Sequence, residues 1–289
     1  MNCLIVVNAY IRNKSQIMQA ERLADELKIL GFECDIRKNF NLSFLSNGET
    51  KKTDYGCCVF LDKDIAVARM LEKGGLRLFN SADSIKKCDD KLLTHVELAD
   101  CGIPMPDSIY APLCYYEDAE ISCSFLDNAA EKLGFPLVAK KCFGSCGAGV
   151  FLIKNHDELY GFEKSNMTAS HFYQKFIGNG GEDIRVIVIG GKFVCSMKRI
   201  NAEDFRSNVE LGGHGEVYAA DSKLIALCEK VADILQLDYC GIDILTDAHG
   251  NRYVCEVNSN AFFAEAERVC GVNIARKYAE WIAACISSQ

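Results

Sequence analysis

Two stretches in the second half of the chain set charged residues among apolar ones and then turn back on themselves. The first runs from Asp183 to Ile200 around Gly190-Gly191, and the second joins GIDIL (241–245) to YVCEVNS (253–259) across Asp247–Asn251. Successive strand residues point to opposite faces, so each stretch needs one apolar and one charged face. A two-residue glycine turn is what an antiparallel hairpin requires. The charges are the informative part. Asp243 stands between Ile242 and Ile244 in a run otherwise fit for burial, and a buried carboxylate needs a partner. Glu256 and Asn258 are two apart and share a face. If the strands pair, Asp243, Glu256 and Asn258 converge as hard oxygen ligands for Mg²⁺. A salt-bridged face is the alternative that spacing leaves open.

Upstream, short apolar runs alternate with helical patterns. Cys3–Val7, 32–36, 57–61 and 76–79 read as strands. Ile17, Ala20, Ala24, Leu27 and Leu30 follow the helical period and end at Gly31, a C′ residue. This alternation predicts a small parallel α/β layer. Its first turn, Asn8-Ala9-Tyr10, lacks a dinucleotide GxGxxG. Next, Asp89-Asp90-Lys91 is expected to open a helix, and another is expected over 128–133. Between them and the C-terminal hairpins lies FPLVAKKCFGSCGAGVFLI (135–153), a strand, a glycine loop and a strand. Glycines let backbone N–H groups approach phosphate oxygens. The loop lacks the GK[ST] ending of a Walker A motif, so an ordinary hairpin stays open.

A third constellation joins Asp183 and Arg185, on one strand face, to Lys198-Arg199 and Arg206-Ser207-Asn208. A planar guanidinium fork, a hydroxyl and an amide suit phosphoryl oxygens. A solvated charged hairpin is the rival.

Taken in order, Lys91, Lys140 with its glycine loop, YQKFI (173–177), DIR, KR, DFRSN, GIDIL and EVNSN make this sequence resemble the ATP-grasp superfamily. The resemblance is closest to its RimK-type carboxylate–amine (glutamate) ligases. It covers about 200 residues from Ile85 onward, most specifically 183–258. It implies an α/β (α+β) ATP-grasp fold preceded by a small parallel α/β pre-ATP-grasp domain. The units would be 1–85, 86–172 with the glycine loop, and 173–289 with the metal site.

It further implies ATP and two Mg²⁺ ions, with Mn²⁺ as an alternative. Lys91, Lys140, Gly144, Ser145, Gly147 and Gly149 would meet the phosphates. Gln174, Lys175, Phe176 and Ile177 would form the adenine hinge, and Asp183 would bind ribose. Lys198, Arg206, Ser207 and Asn208 would contact phosphate or an acyl phosphate, and Asp243, Glu256 and Asn258 would hold metal. Arg206 and Arg185 are the expected catalytic residues, Arg185 toward a substrate carboxylate. The activity implied is amide formation between a carboxylate acceptor, on a protein, peptide or small molecule, and an amino acid such as glutamate. Two rivals are a nucleotide-binding sensor without turnover and a small-molecule kinase.

Three departures from the family pattern stand out. Lys175 replaces a frequent Glu, Lys141 follows Lys140 where Pro is common, and Ser259–Phe263 replaces a small-residue–Pro–Gly turn beside the acceptor site.

Composition bounds the partners. With 40 acidic against 32 basic residues, the net charge is −8. That disfavours non-specific nucleic-acid binding, which needs clustered cations. No signal peptide or membrane-length apolar run is visible, so a cytoplasmic protein is expected. The 16 cysteines contain no CxxC pair, and nearly all are expected to be small buried hydrophobic thiols in a reducing cell. Cys142 and Cys146, flanking the glycine loop, stand out as candidate oxidation sensors. None of the five histidines is assigned to catalysis, and self-association is left open.

Overall fold

In the computed structural model, all residues are described except 13, 43–44, 47–48, 51–52, 146, 179, 208–211 and 288–289. Strands Glu33–Lys38, Asn2–Val7, Cys57–Leu61 and Leu78–Phe79 lie side by side, in that order, as a wholly parallel sheet. Connections between parallel strands need crossovers, and here helices Lys14–Ile29 and Ile65–Lys73 supply two of them. Each of the four strands is followed directly by an amide or carboxylate: Asn39, Asn8, Asp62 and Asn80.

The second sheet is antiparallel, in the order Ser108–Tyr110, His171–Lys175, Leu137–Lys141, Val150–Ile153. Alternation decides its faces. Leu137, Ala139 and Tyr173 pack on helices Cys123–Leu133 and His156–Asn166. Val138, Lys140 and Gln174 therefore point the other way. Helix Cys123–Leu133 starts five residues before the sequence expectation because Ser122 caps it, accepting from the Phe125 N–H. Asp89 also departs from expectation. It ends helix Ala82–Asp89, and Asp90 alone caps the next helix, Lys91–Leu98, by accepting from Leu92 and Leu93.

The third sheet has five antiparallel strands, ordered His214–Val217, Lys192–Ile200, Glu182–Ile189, Tyr239–Thr246, Arg252–Asn258. On one face Ile184, Val186, Val188, Ile242, Ile244 and Val254 bury themselves with Leu224, Cys228 and Val231 of helix Ser222–Ile234. Its other face is charged near the middle.

The N-terminal layer does not stand apart. Cys3, Ile5, Val7, Leu23 and Leu27 share one core with Ile274, Tyr278 and Ile282 of the last helix, Ile274–Ser287. Asn80 bonds the carbonyls of Tyr239 and Ser259, each at 2.8 Å, and Arg77 pairs with Asp238 at 2.9 Å. These links set the carboxyl ends of the parallel strands opposite the charged face of the third sheet. Among the described residues, no helix is long and apolar enough to cross a membrane.

Candidate functional site

The cross-strand register builds the centre of the charged face. Arg185 lies directly opposite Asp243, and Asp243 directly opposite Glu256. Asp183 faces Arg199 on the returning strand. Arg185 clamps Asp243 through two nitrogens, and Arg199 pairs with Asp183 while reaching Asp243 at 3.0 Å. Asp243 and Arg199 are 4% and 5% exposed, so this network is screened little by water. Burial alone would raise the Asp243 carboxyl, yet the two guanidiniums hold it below the ordinary carboxylate range. Burial likewise opposes the Arg199 charge, and Asp183 and Asp243 override it. Gly241 makes room for the clamp: a Cβ there would sit 2.6 Å from the Ala261 Cβ and 3.0 Å from the Arg185 Cδ.

Above this row lies the glycine loop. A Cβ on Gly144 would stand 2.8 Å from the Ala148 carbonyl oxygen, and the backbone φ there is +146°. Glycine is thus required on both counts. Lys91 donates to the Gly144 carbonyl at 2.9 Å and lies 3.4 Å from Glu256. Arg206 donates to the Gly147 carbonyl at 3.0 Å and to Asp204.

Two cavities meet here. The smaller, about 100 Å³, is lined by Lys91, Lys140, Gly147, the 174–177 segment, Asp183, Arg206, Ser207, Asp243 and Glu256. The larger, about 630 Å³, is lined by Ser145, Arg185, Asp243, Glu256, Asn258 and Asn260, and across from them by Asn8, Tyr10, Gln16, Asp62 and Lys63. Arg199, Asp243 and Glu256 belong to both. Lys140 is 6% exposed; its ammonium lies 3.3 Å from the Cys255 sulfur, and no carboxylate among the described residues pairs with it.

Most of the sequence-derived set therefore converges, with qualifications. The Lys175 N–H already donates to the Asp107 carbonyl at 2.8 Å, so a hinge donor falls to Phe176 or Ile177. The Gln174 side chain is committed to Ser108 and His95. Both Asp183 oxygens accept from Arg199, each keeping a lone pair for a hydroxyl. Lys198 parts company with the others. It pairs with Glu182 at 2.8 Å and lines neither cavity, because neighbours on a strand face opposite ways. Gly144 and Gly149 also line neither cavity; the Gly144 carbonyl accepts from Lys91, and the Gly149 carbonyl from the Lys141 N–H. Asn208 and Cys146 lie outside the described residues. Cys142 is buried, and burial pushes its thiol up, away from the thiolate that oxidation sensing needs. The cysteine expectation is met only in part: of fifteen described, eight are buried, six are intermediate, and Cys123 is exposed.

Sequence reasoning missed Cys255, His95 and the Asn8–Asp62 wall. Cys255 sits at a register shift, where Asp243 pairs with Glu256 and Ile244 with Val254. His95 is buried beside Phe172 and held down to about 4 by burial and then by Lys140, so it stays neutral.

The donor set suits a divalent hard cation. Asp243, Glu256 and Asn258 offer two carboxylates and an amide oxygen, a partial shell of the kind Mg²⁺ takes when phosphates and waters complete it. The Asn258 amide nitrogen lies 3.4 Å from Asp243, which leaves its oxygen free to turn toward such an ion. Among the described residues, no three His, Cys, Asp or Glu side chains cluster to hold a metal by themselves.

Against known proteins, the RimK-like ATP-grasp domain matches residues 88–282. This chain belongs to the RimK-like ATP-grasp family. Relatives of this RimK-like chain include beta-citrylglutamate synthase B of Homo sapiens, 35% identical over 230 residues, covering 78% of this chain. Only 58% of the human protein's own length is spanned. The glutamate–LysW ligase ArgX of Sulfurisphaera tokodaii is 34% identical over 223 residues, covering 74% of this chain and 75% of that protein. In fold, D-alanine–D-alanine ligase from Bacillus anthracis, solved with ATP, aligns at a TM-score of 0.76 and 21% identity. That alignment covers 100% of the RimK-like chain and 98% of the ligase.

Proposed function

We propose that this chain is an ATP-dependent carboxylate–amine ligase working through an acyl phosphate. One observation carries the reading: Lys140, a buried ammonium without a carboxylate partner among the described residues, lines a cavity that opens onto a larger one at Arg199, Asp243 and Glu256. A buried charge needs an opposite charge, and a phosphate supplies it.

Nucleotide entering at the smaller cavity, which would have to widen to take it, would rest its adenine against the 174–177 hinge and its ribose near Asp183, with phosphates toward Lys91, Lys140 and the glycine loop. An ionised carboxylate is a poor electrophile. Transfer of the γ-phosphoryl group to one of its oxygens gives an acyl phosphate and ADP. The amine then attacks the carbonyl carbon, phosphate leaves with the C–O bonding pair, and the amine sheds a proton. Phosphoryl transfer asks for positioning and charge neutralisation. Arg206 can supply both, since it touches the glycine loop and lines the phosphate end. Arg185, at the wall of the larger cavity, is suited to a substrate carboxylate. When bound at Asp243, Glu256 and Asn258, Mg²⁺ (two ions by the family pattern, or Mn²⁺) neutralises the phosphate oxygens.

The names of the relatives favour glutamate as the amine, joined to a carboxylate on a protein, peptide or small molecule. The three units, 1–85, 86–172 and 173–289, then divide the work into acceptor wall, phosphate cover and metal face. Free thiols at all fifteen described cysteines support a cytoplasmic setting.

ADP release from Mg²⁺-ATP, screened over amino acids paired with carboxylates, tests the reading, and hydroxylamine should trap the acyl phosphate as a hydroxamate. Glu256→Gln should cut turnover by about 10²-fold or more while ATP still binds. ATP binding with no stimulating pair would instead favour a sensor, and a phosphorylated alcohol would favour a kinase.

A further inference from the structure

The larger cavity has two unlike walls. On one, Arg185 and Arg199 are already matched by Asp183 and Asp243. On the other stands Asp62, at the carboxyl end of the inner parallel strand Cys57–Leu61. Ligands of open α/β sheets collect outside these strand ends. Asp62 is 7% exposed, and its hydrogen-bond partners are all neutral. Oδ1 accepts from the Asn8 amide at 3.0 Å and the Lys63 N–H at 2.8 Å, and Oδ2 accepts from the Asn39 amide at 2.8 Å. Among the described residues no Lys, Arg or His forms an ion pair with it. The adjacent Lys63 ammonium goes to Asp89 at 2.6 Å. Two asparagines from neighbouring strand ends thus orient a buried carboxylate without neutralising it, and Oδ2 keeps a lone pair. Burial in such a place raises the carboxyl, with the Asn8 and Lys63 bonds opposing. A cation arriving from the cavity would remove that penalty.

We propose that Asp62 recognises the ammonium group of the substrate in the larger cavity, which makes that substrate an amino acid or another cationic amine. Asn8 and Asn39 are positioning residues for it. The proposal rests on the ligase reading for its reaction but not for its binding, and the test separates the two.

Wild type and Asp62→Asn are titrated calorimetrically with each of the standard amino acids in the presence of Mg²⁺ and AMP-PNP. A charge-assisted bond of this kind corresponds to roughly 10–100-fold in affinity. The amino acid that binds wild type should bind Asp62→Asn weaker by that factor, with AMP-PNP affinity within about twofold. Its analogue with hydrogen in place of the ammonium should bind both proteins equally. Equal amino-acid affinity in the two proteins overturns the proposal, as does equal weakening of the amino acid and its analogue. So does a wild type that binds no amino acid up to roughly 10 mM, a millimolar limit that excludes even weak recognition. If an amino acid binds in an Asp62-dependent way but never stimulates ADP release, the ligase reading fails and the proposal stands. Should Asp62→Asn unfold, Asn8→Ala keeps the carboxylate and removes one orienting bond; a loss of about 3–10-fold is then expected, and unchanged affinity overturns the proposal.

Discussion

Replacing Asp243 by Asn tests the charged row most directly. In the native row the buried Arg185, Arg199 and Asp243 and the half-buried Asp183 carry charges that sum to zero. Asn leaves one positive charge uncompensated. Among the described residues Arg185 then keeps no anionic partner, while Arg199 retains Asp183. Breaking a buried pair from one side costs about 3–5 kcal/mol. At 2–4 °C per kcal/mol for a chain of this size, that is a fall in Tm of roughly 6–20 °C at pH 7. The single tryptophan, Trp281, offers the readout, since its indole donates to Asp238 at 3.0 Å and unfolding must break that bond. The native Asp243 carboxyl is depressed, so its contribution is complete above the unfolded value of about 4 and is lost as pH falls through the folded one. The gap between wild type and Asp243→Asn should therefore be flat from pH 8 to 5 and narrow below about pH 4. A Tm difference under about 2 °C at pH 7, where at least 6 °C is expected, would refute the view that the row is desolvated and mutually compensated.

Gly241→Ala would press a methyl against Ala261 and the Arg185 stem, and overpacking of this kind costs about 1–3 kcal/mol. Thermal unfolding checks it, and an unchanged Tm would mean that the Arg185 stem does not need this gap. His95 is buried neutral with its value lowered to about 4, so it withdraws stability as pH drops from about 6.5 toward 4, by about 3 kcal/mol in all. His95→Gln should flatten that part of the stability–pH curve, and superimposable slopes would count against the burial argument.

Legibility followed distance along the chain. Period-two alternation was enough to put Glu256 and Asn258 on one face and Val257 on the other, and the short turn before them fixed Asp243 as their neighbour. The same rule separates Lys198 from Arg199, since adjacent strand residues face opposite ways. Cys255 was hidden because a register shift in a strand leaves no compositional mark. Asp62 was hidden for a different reason. Its partners are Asn8 and Asn39, on neighbouring parallel strands, and its cavity is closed by residues near 185, 243 and 260. Nothing within the local sequence specifies that the N-terminal sheet docks there. The docking depends on side chains such as Asn80, Arg77 and Tyr278 that read locally as ordinary core or surface.

The core shared by the first strand and the last helix also has a consequence in time. During synthesis, Ile5, Val7, Leu23 and Leu27 leave the ribosome about 250 residues before Ile274, Tyr278 and Ile282, which cover them. At 5–20 residues per second, that apolar surface waits roughly 12–50 s for its lid. Nascent chains stopped short of Ile274 should therefore carry an N-terminal layer that binds chaperones, and release should coincide with emergence of the final helix rather than with completion of the parallel sheet.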